Sequence, residues 1–341
     1  MKILIVKTSS MGDVVHTMPA ISDIARQYPE ATIDWLVEAS FASLPAMHPA
    51  VRNVIAISWR RWRKKLFSSE SRAAFSEARL ALRNEQYDLV LDLQGLLKSA
   101  LWATQARGPS AGYDRASARE SLAAMFYSKR ASVDKSLHAI ERSRQLAAAH
   151  LGYQVEGPPQ FGMTAPVEIW TPSKSRYAVL ITGASRPEKL WPEASWQTVA
   201  TALQLRGFAI VWLWGTAVEG ERSKRLADVT GGEVPPFLTV KDASAVLARA
   251  ALCVGLDTGF THIAAAFGVD TLGIYCDHEP GLVGIVGAGT VLSIGGRGQV
   301  PEAARVLELS QNLGHISSRT TQRPCRKPSI FPPARRCCRP K

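Results

Sequence analysis

Two polar segments of this sequence contain residue types that bind anions or move protons. The first is K-T-S-S-M-G-D, residues 7–13, which follows an apolar run and precedes apolar residues at helical spacing. Free backbone N–H groups at the start of a helix attract anions, so this loop could hold an anion or a sugar oxygen beside Asp13. Asp13 could instead be a plain helix cap, a role that aspartate fills well.

The second segment is G-L-D-T-G-F-T-H, residues 255–262, at the end of another apolar run. Asp257 and Thr258 are placed to cap the helix that follows, and Gly259 lets its backbone approach a ligand. The partial positive charge at the start of such a helix can hold a diphosphate, with His262 one turn further on. The other interpretation is a capped core helix with a packed histidine. The phosphate loop of ATPases and the dinucleotide G-x-G-x-x-G are absent, which disfavours ATP hydrolysis and a nicotinamide cofactor.

Two further charged residues follow predicted strands. Lys189, in R-P-E-K-L-W-P at residues 186–192, lies in a loop where a lysine can neutralise a phosphate. Glu219 comes after a strand that ends in W-G, where a carboxylate can hydrogen-bond a ribose diol. Taken alone, each residue is more typical of solvated surface.

The run W-R-R-W-R-K-K, residues 59–65, combines aromatic and basic side chains. It could bind phosphates or an anionic lipid surface, or stack the bases of a nucleic acid. A solvated charged face is the third interpretation. The sequence contains no H-E-x-x-H, C-x-x-C or carboxylate cluster of ligand spacing, so it predicts no metal site.

Short β-rich runs alternate with helical patterns, which predicts an α/β fold of parallel sheets with helices on both faces. Residues 151–175, rich in glycine and proline, separate two such series and predict a linker. Ligands of doubly wound sheets bind at the carboxyl edge of the strands, so we expect the site in a cleft between two domains. The predicted strands are Ile3–Val6, Ile33–Val37, Val54–Ile57 and Leu89–Leu93, then Tyr177–Ile181, Phe208–Trp214, Phe237–Val240, Leu252–Leu256 and Thr271–Tyr275.

The composition is that of an ordinary globular protein. The 341 residues are 46% apolar and 21% charged, with a mean hydropathy of −0.03 and a formal charge of +12. Residues 310–341 hold eight basic and no acidic residues, which leaves 33 basic against 29 acidic residues elsewhere, a balance of +4. We interpret this tail, which contains proline and cysteine, as disordered or altered by a frame error. A basic arm for nucleic acid or membrane is the alternative.

Cysteine usage and hydropathy bear on the location of the protein. Outside the tail the cysteines are Cys253 and Cys276, which fits a reducing compartment better than secretion. The apolar run Ile3–Val6 is too short for a signal peptide and predicts a buried strand. No uncharged apolar run approaches 18 residues, so any membrane contact is expected to be peripheral. We expect a cytoplasmic protein.

Five segments together resemble the lipopolysaccharide heptosyltransferases of glycosyltransferase family 9. The resemblance covers residues 1–309 and is carried by K-T-S-S-M-G-D-V-V-H-T-M-P-A (7–20), R-R-W-R-K (60–64), D-L-Q-G-L-L-K-S-A (92–100), K-L-W-P (189–192) and D-T-G-F-T-H (257–262). It implies a GT-B fold, with a Rossmann-like acceptor-binding domain at 1–165 and a Rossmann-like ADP-heptose-binding domain at 166–309. The first segment favours members that add the first heptose over those that add the second.

The resemblance also implies an activity and a set of site residues. The activity is an inverting, metal-independent transfer of L-glycero-D-manno-heptose from ADP-heptose to the inner Kdo of Kdo2-lipid A, by an enzyme on the cytoplasmic face of the inner membrane. Asp13 matches the general base. The donor-binding positions match Ser185, Lys189, Glu219, Asp257, Thr258, Gly259 and His262, and the acceptor-binding positions match Ser10, Gly12, Arg60, Arg61, Arg63 and Lys64. Peripheral contact with the anionic membrane surface is expected, without a cofactor or nucleic acid.

Two other functions stay open at this stage. A related enzyme could add heptose to a core that is already heptosylated. From a different class, the tail and residues 59–65 could mark a non-catalytic protein that binds an anionic surface or nucleic acid.

Overall fold

The structure is a computed structural model and describes residues 1–62, 68–277 and 279–314. The first domain is built on one parallel sheet with the strand order β3-β2-β1-β4-β5-β6. Its strands are β1 (Lys2–Val6), β2 (Thr32–Glu38), β3 (Val51–Ile57), β4 (Leu89–Asp92), β5 (Ser110–Tyr113) and β6 (Lys129–Ala131). Its helices are α1 (Met11–Val15), α2 (Met18–Gln27), α3 (Trp59–Trp62), α4 (Ser69–Arg83), α5 (Leu97–Ala103) and α6 (Ala139–Leu151).

The second domain is built on another parallel sheet, with the order β11-β10-β9-β7-β8. Its strands are β7 (Tyr177–Ile181), β8 (Ala209–Leu213), β9 (Leu252–Leu256), β10 (Thr271–Tyr275) and β11 (Val291–Gly295). Its helices are α7 (Glu193–Leu205), α8 (Ala217–Thr230), α9 (Val240–Arg249), α10 (Gly259–Ala266) and α11 (Ala303–Ser310). The predicted α/β fold of two doubly wound, Rossmann-like domains is confirmed.

Both faces of the sheets are buried, as the sequence of β1 illustrates. Ile3 and Ile5 belong to one apolar cluster, while Leu4 and Val6 belong to another on the opposite face. Alternate side chains of a strand point to opposite faces, so a strand that is covered on both sides is apolar throughout. Continuous apolar runs therefore marked the central strands in the sequence.

The strand orders place the candidate residues at two crevices. In the first sheet the direction of chain winding changes between β1 and β4, and in the second it changes between β7 and β9. Loops that leave adjacent strands in opposite directions open a crevice at the carboxyl edge of a sheet. Asp13 follows β1, Lys189 follows β7 and Asp257 follows β9.

One predicted strand is wrong. Phe237–Val240 forms no strand, because the chain enters α9 at Val240 with Thr239 as its N-cap. The hydroxyl of Thr239 accepts a hydrogen bond from the amide of Asp242 (3.3 Å), which satisfies one free donor of the first turn. Strands β5, β6 and β11 were not predicted. They lie at or next to sheet edges. β6 and β11 are partly exposed, which weakens their apolar patterns, and β5, although mostly buried, consists of the four residues Ser-Ala-Gly-Tyr, which include no branched aliphatic side chain.

Residues 152–176 join the two sheets without a helix or strand, and the end of the described chain packs on the second domain. α11 contacts α7, and Leu313 is buried in the core of the second domain. Arg206 donates from Nη2 to the carbonyl of Leu313 (2.7 Å), and the amide of Gly314 donates to Asp270 (2.9 Å). The first residues of the basic tail, 310–314, are therefore packed, while residues 315–341 lie outside the described part of the chain.

Within the described ranges, no helix has the length and apolar character needed to cross a bilayer.

A buried ion pair between α2 and α6 gives the first testable prediction. Arg144 donates from Nε to Asp23 Oδ2 (2.7 Å), and both side chains are only 2% exposed. Asp23→Ala leaves the buried guanidinium of Arg144 with the partly exposed Glu141 as its remaining carboxylate partner among the described residues. The substitution should therefore lower the free energy of unfolding by about 3 kcal/mol, at the low end for a broken buried ion pair. Denaturant unfolding followed by circular dichroism measures this difference.

The matched control is an exposed pair on α8. Glu221 accepts a hydrogen bond from Lys224 at 2.9 Å, and both side chains face solvent. Glu221→Ala should change the stability by less than about 1 kcal/mol. Equal effects of the two substitutions would contradict the role assigned to the Arg144–Asp23 pair.

Candidate active site

A cleft of about 710 Å³ lies between the carboxyl edges of the two sheets. The first domain contributes Asp13, Ser10, Gly12 and Arg60 to its wall, and the second contributes Ser185, Lys189, Glu219, Asp257, Thr258, Gly259 and His262. The structure thus brings these eleven predicted residues, which come from segments distant in sequence, to one cavity.

The loop that carries Asp13 is held by the neighbouring strand of the same sheet. Gln94, two residues beyond β4, accepts hydrogen bonds from the amide and the hydroxyl of Thr8, both at 2.7 Å. Lys7 donates from Nζ to the carbonyl of Leu93 (2.9 Å), and Lys98 donates to Ser9 Oγ (2.8 Å). The D-L-Q-G-L-L-K segment therefore supports the loop from β1 and fixes the position of the helix that follows it.

Asp13 is the third residue of α1, and Ser10 is the N-cap of this helix. The interpretation of Asp13 as the cap itself is therefore wrong. Asp13 Oδ2 accepts hydrogen bonds from the amide (2.8 Å) and the hydroxyl (2.9 Å) of Ser10, and Arg119 Nη1 lies 3.8 Å away. Oδ1 has no hydrogen-bond partner among the described residues, so it is the oxygen available to a ligand.

The electrostatic surroundings keep Asp13 ionised. Burial by itself would raise the pKa of this carboxyl group, because a charged group is poorly solvated in the protein interior. The positive charge of Lys7, the two hydrogen bonds from Ser10 and the charge of Arg119 outweigh burial and hold the pKa of Asp13 below its ordinary value. Burial also lowers the pKa of Lys7 itself.

On the opposite wall, Asp257 joins a lysine and a histidine. Lys189 donates from Nζ to Asp257 Oδ2 (2.6 Å), and His262 Nε2 lies 3.5 Å from Oδ1. Burial raises the pKa of Asp257, but the contacts with His262 and Lys189 outweigh it and lower the pKa to about 2. Asp257 is therefore a carboxylate that positions a cation and an imidazole at the edge of the cleft.

His262 connects this wall to the first domain. Its Nδ1 lies 3.1 Å from Nε2 of His16, which follows Asp13 by three residues on the first wall. If His262 Nε2 carries the proton that faces Asp257, its Nδ1 is the acceptor and His16 Nε2 is the donor. Buried His16 Nδ1 has no hydrogen-bond partner in the described structure, which agrees with an unprotonated nitrogen.

The two domains also approach closely through glycine residues on facing helices. A Cβ added to Gly12 on α1 would lie 3.3 Å from the His262 ring, and a Cβ added to Gly259 on α10 would collide with Met11. Both glycines lack positive φ angles, so close packing is the reason for the small residue at each position. α1 and α10 thus form the direct contact between the domains beside the site.

Thr258 and Glu219 lie in the first turns of two helices at the cleft wall. Thr258 is the N-cap of α10, and the first residues of this helix, Gly259 and Phe260, line the cleft. Glu219 Oε2 accepts from the amides of Gly215 (2.8 Å) and Thr216 (3.1 Å) at the start of α8. Its Oε1 has no hydrogen-bond partner among the residues described, so this oxygen is free to bind a hydroxyl group.

The basic run at 59–65 is only partly at the cleft. Arg60 lines it and lies over the ring of Phe41, with 5.5 Å from Cζ to the ring centroid. Arg61 does not line the cleft; it faces solvent 3.8 Å from Glu70. The ring of Trp62 is buried against Trp102, with centroids 6.2 Å apart, and so is not available to stack on a base. The predicted acceptor-binding residues Arg63 and Lys64 lie outside the described residues.

Several cleft residues were not identified from the sequence. Arg119 belongs to no recognisable motif, and the fold alone brings it beside Asp13. His16 is part of the K-T-S-S-M-G-D-V-V-H segment, and its position one turn after Asp13 could have placed it on the same helix face. Trp214 and Phe237 form an apolar wall, with ring centroids 5.7 Å apart. The described residues contain no group of three or more His, Cys, Asp or Glu side chains arranged for a metal ion.

The histidine contact between the domains predicts a pH dependence of stability. Burial, with smaller contributions from His262, His138 and Lys7, lowers the pKa of His16 well below 6.5. The unfolded chain therefore binds more protons than the folded protein below pH 6.5, and stability falls as the pH falls. At pH 5 this one group removes up to about 2 kcal/mol relative to pH 8.

The variant His16→Gln should lose this part of the pH dependence, as measured by thermal unfolding at pH 5 and pH 8. Val218→Gln, at an exposed position of α8, should keep the profile of the unsubstituted protein. An unchanged profile in His16→Gln would show that His16 does not titrate on unfolding as argued.

Comparison with known proteins agrees with the geometry of the cleft. The sequence profile of glycosyltransferase family 9 (heptosyltransferase) matches residues 76–311. Lipopolysaccharide heptosyltransferase 1 of Pseudomonas aeruginosa is 42% identical over 85% of this chain and 83% of its own length. The Escherichia coli K12 protein of the same name is 41% identical over 83% and 90%. Lipooligosaccharide heptosyltransferase 2 of Haemophilus ducreyi is 25% identical over 78% and 80%.

Solved structures show the same arrangement of two domains. E. coli heptosyltransferase WaaC with ADP superposes with a TM-score of 0.85 and 38% identity, over 91% of this chain and 99% of that chain. The same enzyme with ADP-2-deoxy-2-fluoro heptose gives 0.83 and 36%, with the same coverage. The predicted GT-B fold is confirmed, and the chain belongs to glycosyltransferase family 9, the family of the heptosyltransferases.

Proposed function

We propose that this glycosyltransferase moves a heptosyl group from ADP-heptose to the inner Kdo of Kdo2-lipid A, with inversion and without a metal ion. The observation that carries the proposal is the position of Asp13 across one cleft from Lys189 and the first turn of α10. A carboxylate that faces a cationic pocket rich in N–H groups suits sugar transfer from a nucleotide diphosphate. The heptosyltransferase 1 name of the relatives at 41–42% identity supports this choice.

Asp13 Oδ1 acts as the general base. The acceptor hydroxyl oxygen attacks the anomeric carbon from the face opposite ADP, the bond from that carbon to the diphosphate oxygen breaks, and Oδ1 takes the hydroxyl proton. A carboxylate cannot ionise a sugar hydroxyl in advance, but it can accept the proton as the new bond forms, which contributes about 10²- to 10⁴-fold. Ser10 keeps Oδ2 engaged and so holds Oδ1 toward the substrate.

ADP leaves as an anion, so the second domain has to supply positive charge rather than a proton. In the proposed complex, Lys189 and the backbone amides of Thr258 and Gly259 at the cleft wall provide it, together with roughly half a positive charge at the start of α10. Asp257 holds Lys189 in place before the donor binds. The adenosine part fits the remaining wall: Trp214 and Phe237 offer flat apolar surfaces to the base.

Other predicted residues complete the donor and acceptor sites. Ser185 and Glu219 line the second-domain wall of the cleft. In the proposed complex Ser185 contacts the donor and Glu219 Oε1 accepts a hydrogen bond from a ribose hydroxyl. Arg60 and Arg119 lie on the first-domain wall, where their guanidinium groups suit an acceptor that carries carboxylates and phosphates. Because this acceptor is anchored in a bilayer by its acyl chains, the proposed reaction takes place at a membrane surface, which the resemblance to the family assigns to the cytoplasmic face of the inner membrane.

The assignment is tested with ADP-heptose and three reactions in EDTA: one with Kdo2-lipid A, one with heptosyl-Kdo2-lipid A and one without acceptor. Product in the first reaction alone supports the proposal. Product only with the heptosylated acceptor selects an enzyme that adds the second heptose, and a requirement for added divalent metal contradicts metal independence.

Replacement of the proposed base should separate chemistry from donor binding. Asp13→Asn should lower kcat by about 10²- to 10⁴-fold, because the amide cannot accept the hydroxyl proton. ADP affinity, measured by calorimetry, should stay unchanged, since ADP binds to the other domain. The control Asp228→Asn, at an exposed position of α8, should keep the original kcat. A kcat reduced less than tenfold in Asp13→Asn would exclude Asp13 as the base.

The pH profile tests how Asp13 is kept ionised. The Ser10 hydroxyl stabilises the charged form of Asp13, so Ser10→Ala should raise the pKa of Asp13 and move the acid limb of kcat/KM to higher pH. Ser9→Ala removes a hydroxyl that accepts from Lys98 instead and should leave this limb in place. If the acid limb of kcat/KM lies at the same pH in Ser10→Ala as in the original protein, the Ser10 hydroxyl does not stabilise the charged form of Asp13.

A further inference from the structure

Outside the cleft, one short turn of the first domain exposes large apolar side chains. It is the 3₁₀ helix Ser121–Phe126, which we call the apolar turn. Leu122 is 52% exposed and Met125 is 69% exposed, and Phe126 is also partly exposed. Leu101, on the adjacent helix α5, exposes a further apolar side chain. Exposed large apolar side chains that cluster on one surface mark a site of interaction.

The packing of the first domain does not explain why these large apolar side chains are exposed. The residues of the apolar turn that face inward are Ala123 and Ala124, which are buried, and Ala123 packs with Ala100 of α5. The small residues thus make the tertiary contacts, while the large ones face solvent. The tertiary contacts of this turn therefore do not require the large apolar side chains of Leu122 and Met125.

The charges around the turn are mainly positive. Residues 115–130 contain Arg115, Arg119, Lys129 and Arg130, all exposed, and Glu120 as the only acidic residue. The amide of Leu97 donates to Glu120 Oε2 (2.6 Å), so part of the negative charge is already engaged. An apolar turn that is flanked in sequence by exposed basic residues is complementary to a surface with anionic headgroups above an apolar interior.

The apolar turn also lies next to the acceptor side of the cleft. Arg119, which lines the cleft 3.8 Å from Asp13, precedes Leu122 by three residues, so their Cα atoms are at most about 11 Å apart. The amide of Glu120 donates to the carbonyl of Gly95 (3.0 Å), in the loop between β4 and α5. A membrane surface bound by the apolar turn would therefore lie close to the first-domain wall of the cleft, where the proposed acceptor binds.

We propose that the apolar turn inserts into the boundary between headgroups and acyl chains of an anionic bilayer and so docks the cleft on the membrane. The proposal rests on the proposed function, in which the acceptor is a lipid. Insertion of Leu122 and Met125 places the cleft at the headgroup level, where an acceptor sugar can reach Asp13 while its acyl chains stay in the bilayer. Arg115 and Lys129 add attraction to the anionic headgroups.

Vesicle binding tests the proposal with the full chain. The double variant Leu122→Ser/Met125→Ser should partition at least about tenfold more weakly than the original protein into vesicles of phosphatidylethanolamine and phosphatidylglycerol, measured by sedimentation. The matched control is Leu205→Ser/Val229→Ser, which removes two apolar side chains, 86% and 68% exposed, from the second domain. It should bind like the original protein. Because all four positions are exposed, both variants should keep the original unfolding midpoint.

Vesicles of different lipid composition separate the apolar contribution to membrane binding from the electrostatic contribution. Phosphatidylcholine vesicles, which have no net charge, should bind the original protein more weakly than the anionic vesicles do. Lys129→Gln should weaken binding to the anionic vesicles only. Equal binding of the Leu122→Ser/Met125→Ser variant and the original protein to anionic vesicles would overturn the proposal.

Transfer assays distinguish this proposal from the proposed function. With a water-soluble, de-acylated acceptor, the Leu122→Ser/Met125→Ser variant should transfer heptose at the original rate, whereas transfer to acceptor in vesicles should fall with vesicle binding. If neither protein transfers heptose but the variant still loses vesicle binding, the proposed function fails and the docking surface stands. The original protein could also self-associate. If the substitutions abolish this association and leave vesicle binding unchanged, the turn is an interface between copies of the chain and the membrane-docking proposal is overturned.

Discussion

The contact between α1 and α10 is the constraint on which the candidate site depends. These helices begin at the carboxyl edges of two different sheets, and each carries residues from one wall of the cleft. Gly12 and Gly259 allow the helices to approach, because a side chain at either position would meet His262 or Met11. The same contact lets His16 hydrogen-bond His262. In the proposed mechanism, Asp13 on one domain and Lys189 on the other act on the same bond, which requires the two domains to approach in this way.

Two carboxylates at the cleft are kept ionised by different neighbours, and this difference matches their proposed roles. Asp257 has both oxygens directed to positive or donating groups, Lys189 and His262, so it positions other residues. Asp13 has one oxygen engaged by Ser10 and one left for a substrate. Burial opposes ionisation at both sites, and the charged neighbours outweigh it. A lowered pKa makes Asp13 a weak base, which suits a proton transfer that accompanies bond formation.

Residues that do not take part in the proposed chemistry also belong to the site, because they hold the loop that carries Asp13. Gln94 and Lys7 hold the loop from β1 against the end of β4, and Lys98 holds Ser9. These contacts join neighbouring strands at the point where the direction of winding changes. Rigid support at this point limits the movement of Asp13, and catalysis depends on such positioning.

The sequence by itself determined the central strands, the two series of α/β units and the loops that carry Asp13, Lys189 and Asp257. Those features depend on local patterns: continuous apolar runs for strands buried on both faces, and small polar residues where a helix starts. Edge strands such as β6 escaped because exposure removes the apolar pattern, and Phe237–Val240 was mistaken for a strand because its helix cap at Thr239 was overlooked. Only the tertiary structure decided which distant residues meet. Arg119 beside Asp13, His16 on His262 and the burial of Trp62 depend on chain crossings and helix packing between segments up to 246 residues apart, which no local pattern encodes.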